Sequence, residues 1–322
     1  MTEQETHVLE RLQQDTMRTA CADYLAGADQ LHRHEILTSL AFDRLRYKME
    51  LVDEIRANCG GDWNQTFYRL YFRTLGDSSN QAAYLTLAER VPYKIALRER
   101  TTPHAVEAML LGVSGLLGLY EHDTYVLDLL RTFEHLAAKY TLEPMDASAW
   151  NLTDIRPANH PLLRIVQAAR FFIQDEFVMN RTLECRDPKE VQRLFGVEAP
   201  EYWNTHYTPG AECEWHPKRI GKFKSDIIGI NLVAVLQFAY GSYMDDERLR
   251  ENALKLLESI EPENNRFIRS WCDAGVPAPV NAFESQALLQ LSKVYCMHGR
   301  CAECPVGRRI LAKVRRMAPP EE

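Results

Sequence analysis

Near the end of the chain, VYCMHGRCAECPVGRRI (Val294–Ile310) sets three cysteines in the pattern Cys296-x4-Cys301-x2-Cys304. A Cys-x2-Cys pair suits tetrahedral thiolate coordination, because the intervening turn lets both sulfurs face one point. Zinc needs a fourth ligand. His298 is local, Cys272 is the nearest preceding cysteine, and Cys185 and Cys213 lie elsewhere in the sequence. The same spacing matches the first three ligands of plant-type iron–sulfur proteins, with Pro305 following the last cysteine as in some cluster motifs. The third reading needs no metal, since cysteine packs well as a small hydrophobe at a helix end. Zinc is the cofactor expected first, an iron–sulfur cluster second. A structural ion here would pin the C-terminal segment and would not be catalytic.

Directly downstream runs GRRILAKVRRM, which carries Arg308, Arg309, Lys313, Arg315 and Arg316. A stapled knuckle beside a basic helix grips phosphates, so nucleic acid is a candidate partner. The alternative is a solvated helix face whose charges suit a helix C-terminus. A second kind of chemistry lies in DIRPANHPLLRIVQAAR, where Arg156, Asn159, His160, Arg164 and Gln167 crowd together. Pro161 suits the first helical position, and Asn159 or His160 would cap that helix. A helix start flanked by two arginines is an anion site for phosphate or carboxylate; the same arginines could instead tie the loop to acids such as Glu107 or Glu134. Further on, His206 and His216 stand near Glu212, Cys213 and Glu214. Their spacing, H-x6-C-x2-H, fits a second metal site or an acid–base pair, or plain packing residues. No GxSxG, Walker loop, HExxH or GxGxxG occurs.

The elements that must position these groups read as helices. Apolar residues from Leu31 to Ile55 recur at spacings of three to five, one face of a helix over 30–58. Cys59-Gly60-Gly61 stops it, and Asp62 caps the next. Further helices are expected at 80–90, 103–118, 123–140, 160–178, 187–195, 226–243, 246–259, 263–273 and 281–297, with Asn281 as a cap. Strand-like alternation is weak and confined to 181–185 and 211–224. Two long loops, 143–161 and 197–225, interrupt the helices; the second holds Tyr202, Trp203, Tyr207 and Trp215, so it is expected to be packed. The fold class is mainly α, an irregular multi-helix array with long loops and a C-terminal cysteine knuckle. Its parts are residues 1–142 and 143–322, or one continuous domain.

At 322 residues, with 46% hydrophobic and 26% charged residues, the chain can bury a sizeable core. A net charge of −7 argues against coating nucleic acid over the whole surface, though not against a local basic patch. Eight unevenly spread cysteines do not make a secreted disulfide scaffold. The polar opening, MTEQETHVLERLQQDTMRTA, has no signal-peptide core, so a cytoplasmic location is expected. The apolar stretch IIGINLVAVLQFAYG reads as too short to span a bilayer, and no membrane partner is expected.

Several stretches together resemble a bacterial family of unknown function, number 2851: RLRYKMELV, GDWNQTFYRLYFRTLG, AVEAMLLGVSGLL, DIRPANHPLLRIVQAAR, EYWNTHYTPG, IIGINLVAVLQFAYG, EPENNRFIRSW and ESQALLQLSKVYCMHGRCAECPVG, over roughly residues 30–307. The resemblance implies that Arg156, Asn159, Arg164, Tyr202, Trp203, His206, Glu263, Ser285, Gln286 and the three clustered cysteines hold family-pattern positions. It implies no activity. Members of that family open with a β-rich segment, and this chain begins just before the helical part. The resemblance therefore implies a binding or scaffolding version, or one working with a separate partner. The expected function is a helical binding or scaffold protein with a metal-stapled C-terminus and a basic tail on nucleic acid. The alternative is an enzyme acting on a phosphorylated or acidic substrate through Arg156, Asn159 and Arg164, with His206 or His216 as acid–base.

Overall fold

A computed structural model of the chain describes residues 3–14, 19–76 and 78–317. It is mainly α. The helices are α1 (Glu3–Gln14), α2 (Thr19–Gly27), α3 (Gln30–Asn58), α4 (Trp63–Leu75), α5 (Gln81–Arg90), α6 (Tyr93–Glu99), α7 (Ala105–Val113), α8 (Thr124–Tyr140) and α9 (Pro161–Gln174). They continue as α10 (Val178–Glu184), α11 (Pro188–Phe195), α12 (Lys222–Ile228), α13 (Ala234–Tyr243), α14 (Glu247–Ser259), α15 (Arg266–Asp273), α16 (Ala282–Gln290) and α17 (Pro305–Met317). A two-stranded antiparallel hairpin, β1 (His206–Thr208) and β2 (Ala211–Glu212), is the sheet among the described residues. The chain divides into two compact units, one of residues 1–50 and 254–322, the other of 51–253.

The division does not fall at 142/143. The loop 143–161 is packed inside the larger unit: Trp150 is buried with its indole N–H on the Ser114 carbonyl at 2.8 Å. The amide of Asn80 clasps the backbone of Asn151 from both sides, at 2.9 and 2.8 Å. A loop whose backbone donors and acceptors are so paired is a piece of the core's wall, not a linker. Around it, α4 and α9 supply a core of aromatic rings. Tyr71 stacks on Phe171 at 4.8 Å, and Phe171 on Phe195 at 4.8 Å. Contacts of this kind add about 0.5–1.5 kcal/mol each beyond area burial.

Local signals explain several helix starts. Asp62 accepts from the amides of Asn64 and Gln65, Asn265 from Phe267 and Ile268, and Asn281 from Glu284. His160 caps α9 through Nδ1, with Pro161 as first helical residue. Two expectations need correction. Residues 181–185, read as strand-like, lie mostly in α10, where Val178, Met179, Thr182 and Leu183 are buried at helical spacing. Of 211–224, β2 takes two residues and α12 the last few.

A π-helical turn, Gly229–Val233, joins α12 to α13 without a break. The continuous helix, Lys222–Tyr243, is long and apolar enough to cross a membrane, because it extends through the polar turn that precedes IIGINLV. Most of its apolar window, 72%, is buried among the protein's own residues, as a core helix requires.

In the smaller unit, α17 packs on α1 and α2, and α15 on α16. A second π-helical turn, Leu291–Tyr295, extends α16, followed by a 3-10 turn at Cys296–His298 that Gly299 ends at φ +62°. The helix expected at 281–297 is therefore real but changes winding after Gln290.

Candidate functional site

The loop 197–225 is built onto the larger unit by one buried lysine. Lys218 is 3% exposed. Its ammonium donates to the Asn204 carbonyl at 2.9 Å and lies 3.4 Å from Cys213 Sγ, 3.2 Å from His216 Nδ1 and 4.3 Å from the centre of the Tyr207 ring. His216 Nδ1 also lies 3.1 Å from the Glu214 carbonyl, and its Nε2 meets the Tyr207 hydroxyl at 2.8 Å. Behind Lys218, its carbonyl accepts from Gln167 at 3.0 Å. Gln167 in turn accepts from the Arg164 guanidinium at 2.9 Å, which also donates to Asn159 at 2.8 Å. One hydrogen-bonded line thus runs Asn159–Arg164–Gln167–Lys218–His216–Tyr207, through two buried cations. Each is costly to bury unless satisfied in this way.

The sequence-predicted anion site is therefore partly assembled. Asn159, Arg164, Gln167 and His216 are brought together; Arg156 stays on the exposed surface. Arg164 is 4% exposed, so it ties the loop to α9 rather than presenting itself to solvent. Glu107, expected as a possible anchor for the arginines, serves another group. It is buried, accepts from the Tyr125 hydroxyl and lies 3.3 Å from the Trp203 indole nitrogen. His206 serves a third: its ring stacks on Tyr202 at 4.3 Å, and Tyr202 stacks on Tyr125 at 4.0 Å. Asp123 holds this stack, accepting from the Tyr202 hydroxyl at 2.7 Å and the Gly210 amide at 3.1 Å. The expected packing of the four aromatics holds for Trp203, which is fully buried, while Trp215 is 64% exposed.

Lys218 carries much of this arrangement and was not read from the sequence, while Tyr207 was read only as a packed loop aromatic and Glu107 only as a possible partner for the arginines. Lys218 sits in HPKRIGKFKS, which looks like a solvated basic run. For Glu107 a signal was present, a lone charge within the apolar run AVEAMLLGV.

The knuckle in the smaller unit is held by packing. Cys304 is buried, Cys296 and Cys301 are half-buried, and His298 is exposed. Burial pushes the thiols of Cys301 and Cys304 above their ordinary range, and for Cys304 the neighbouring Cys301 adds to it. Gly307 lets α17 begin against the Cys301 carbonyl, which a Cβ there would meet at 2.1 Å. The Gly299 carbonyl accepts from Gln13 at 3.0 Å, and Arg300 pairs with Glu303. Among the described residues, no three His, Cys, Asp or Glu side chains are grouped to hold a metal ion. That covers Cys296, Cys301, Cys304 and His298, and also His206, Cys213 and His216.

Helix α17 is amphipathic. Val306, Gly307 and Leu311 are buried, while Arg308, Lys313, Arg315 and Arg316 are exposed and Arg309 is half-buried. Arg308, Ala312 and Arg316 follow at intervals of four, and Arg309 and Lys313 likewise, so the cations form adjacent rows on one face. Arg315 pairs with Glu5, and Arg309 lies 3.6 Å from Glu35.

The family described as "Protein of unknown function (DUF2851)" matches residues 1–266. The chain belongs to this family. The match covers both polar loops and ends before the knuckle and α17. No curated protein and no solved structure matches the chain.

Proposed function

We propose that this DUF2851 chain is a binding protein that holds nucleic acid through the exposed face of α17. The observation that supports this reading is the separation of that helix into a buried apolar side and a cationic side, with Arg308, Lys313 and Arg316 pointing to solvent in rows that can follow successive phosphates. Zinc on Cys296, Cys301, Cys304 and His298 remains part of the proposal through the spacing of those residues alone. The test is binding of a labelled single-stranded oligonucleotide across a salt series. Neutralising three phosphate contacts gives a log–log salt slope of about −2 for single strands. The triple variant R308Q/K313Q/R316Q is expected to flatten the slope by about that amount. Salt-independent binding, or an unchanged triple variant, refutes the reading.

One observation favours a second reading, an enzyme acting on a phosphorylated or acidic substrate: the line of hydrogen bonds that ends in His216 and Tyr207 at the surface. Such an enzyme would cleave p-nitrophenyl phosphate, lose that activity in His216→Ala, and keep it in the α17 triple variant. A rate equal in wild type and His216→Ala rejects it.

A further inference from the structure

The smaller unit holds a second group of cations, away from the rows of α17 in sequence and drawn from three segments. Arg44 of α3 donates through Nε to Gln286 Oε1 at 3.2 Å. Gln286, buried on α16, donates its amide to Glu263, whose backbone N–H is held by the buried Ser285 hydroxyl at 3.1 Å. Glu263 begins the segment that leads through the Asn265 cap into α15, and so places Arg266 and Phe267. The guanidinium of Arg266 lies 4.8 Å and the ammonium of Lys293 5.3 Å from the centre of the Phe267 ring. Neither Arg266 nor Lys293 makes an ion pair among the described residues, and both are exposed.

Lys293 stands in the π-helical turn Leu291–Tyr295. Such turns are uncommon and are found often at functional sites, because the extra residue re-aims the side chains of a helix face. Along this helix Gln286 and Gln290 follow at an interval of four on one face, and Lys293 comes three residues later across the π turn. Gln290 is 3% exposed, and its carbonyl Oε1 is buried with no hydrogen-bond partner. A buried polar atom left unmet one turn before Lys293 is one that calls for a polar partner.

We propose that Arg44, Arg266 and Lys293, set by Gln286 and Glu263, form a binding site for a phosphate-class anion. The positive charge is already strained there. Lys293 is held below its ordinary range, first by desolvation and then by the charge of Arg44, with Glu263 acting in the opposite sense and Arg266 adding to Arg44. A dianion between the cations reverses that repulsion, and a planar guanidinium offers paired N–H donors to its oxygens. Asp43 is occupied by the Tyr295 hydroxyl at 2.9 Å and by Arg46 at 3.3 Å, so it does not neutralise the group. The site stands whether or not α17 binds nucleic acid.

The experiment is a titration of the full chain with inorganic phosphate, followed by 31P line broadening and by calorimetry. Saturable binding is expected in wild type, at least about tenfold weaker in Lys293→Gln and in Arg266→Gln, and unchanged in Arg131→Gln, an exposed arginine of α8 in the larger unit. Both substituted residues are exposed, and circular dichroism confirms that each variant folds. A parallel arm with a single-stranded oligonucleotide separates the sources of the phosphate. If Lys293→Gln weakens both ligands and phosphate competes with the strand, the site takes backbone phosphate. If it weakens only inorganic phosphate, the ligand is a small phosphorylated molecule. Binding of phosphate that is absent, unaltered in Lys293→Gln and Arg266→Gln, or lost equally in Arg131→Gln overturns the site.

Discussion

Replacing Trp203 with alanine is expected to destabilise the larger unit by about 3–5 kcal/mol, the cost of emptying a fully buried aromatic site. Trp203 is 0% exposed and sits in the 3-10 turn Glu201–Thr205. Its indole N–H approaches both the Glu107 carboxylate, at 3.3 Å, and the Tyr125 hydroxyl, at 3.2 Å. Deleting the ring therefore does two things. It opens a cavity, and it leaves a buried carboxylate with fewer donors, which is the more damaging kind of loss. Trp203→Phe separates the two, since it keeps most of the volume and removes the N–H; it should cost about 1–2 kcal/mol. Urea unfolding of the three proteins measures both. A cost below about 1 kcal/mol for Trp203→Ala means that the loop 197–221 does not rest on this residue. The stacked rings Tyr125, Tyr202 and His206 depend on the same turn, so the hairpin β1–β2 should lose its order with it.

The second large effect is a loss of stability in mild acid, traced to His160. Burial holds this imidazole down to about 4, well below its ordinary 6.5. Its Nδ1 accepts from the Leu162 amide at 3.4 Å and so caps α9. A protonated ring cannot accept there, and it would add a positive charge at a helix N-terminus, where the macrodipole disfavours one. The unfolded chain takes up the proton more readily than the folded one as pH falls. The stabilisation is therefore complete above 6.5 and lost progressively as pH drops toward 4. With allowance for the ring's partial exposure, the loss is about 2 kcal/mol. His160→Asn keeps a capping acceptor and removes the titrating group, so its stability between pH 6.5 and 4.5 should fall by less than that of wild type. Equal slopes for the two proteins would place the acid sensitivity elsewhere.

These two residues show different routes from sequence to structure. The role of His160 follows from its immediate neighbour: Pro161 prefers the first helical position, which left Asn159 or His160 to cap the helix. That is local chemistry, and it was legible. The same holds for Asp62 and Asn281, and for the basic helix read downstream of the cysteines. Trp203 is otherwise. Its aromatic character argued for a packed loop, yet nothing near it in sequence names Glu107 or Tyr125, which arrive from α7 and α8.

What the sequence by itself determined is the mainly α class, the helix caps at Asp62 and Asn281, the packed nature of the second loop, and membership of the DUF2851 family, which the match over residues 1–266 bears out. The tertiary structure decided which polar residues meet. Arg164 and Gln167 share a helix face by spacing alone, but their link to Lys218 spans 51 positions along the chain. Arg44 and Gln286 are 242 apart. Hydrogen bonds act over about 3 Å and carry no trace in the order of residues. Helical periodicity, by contrast, is written into every turn. The elements could thus be read from the chain, while the gathering of side chains into a site came from how those elements pack.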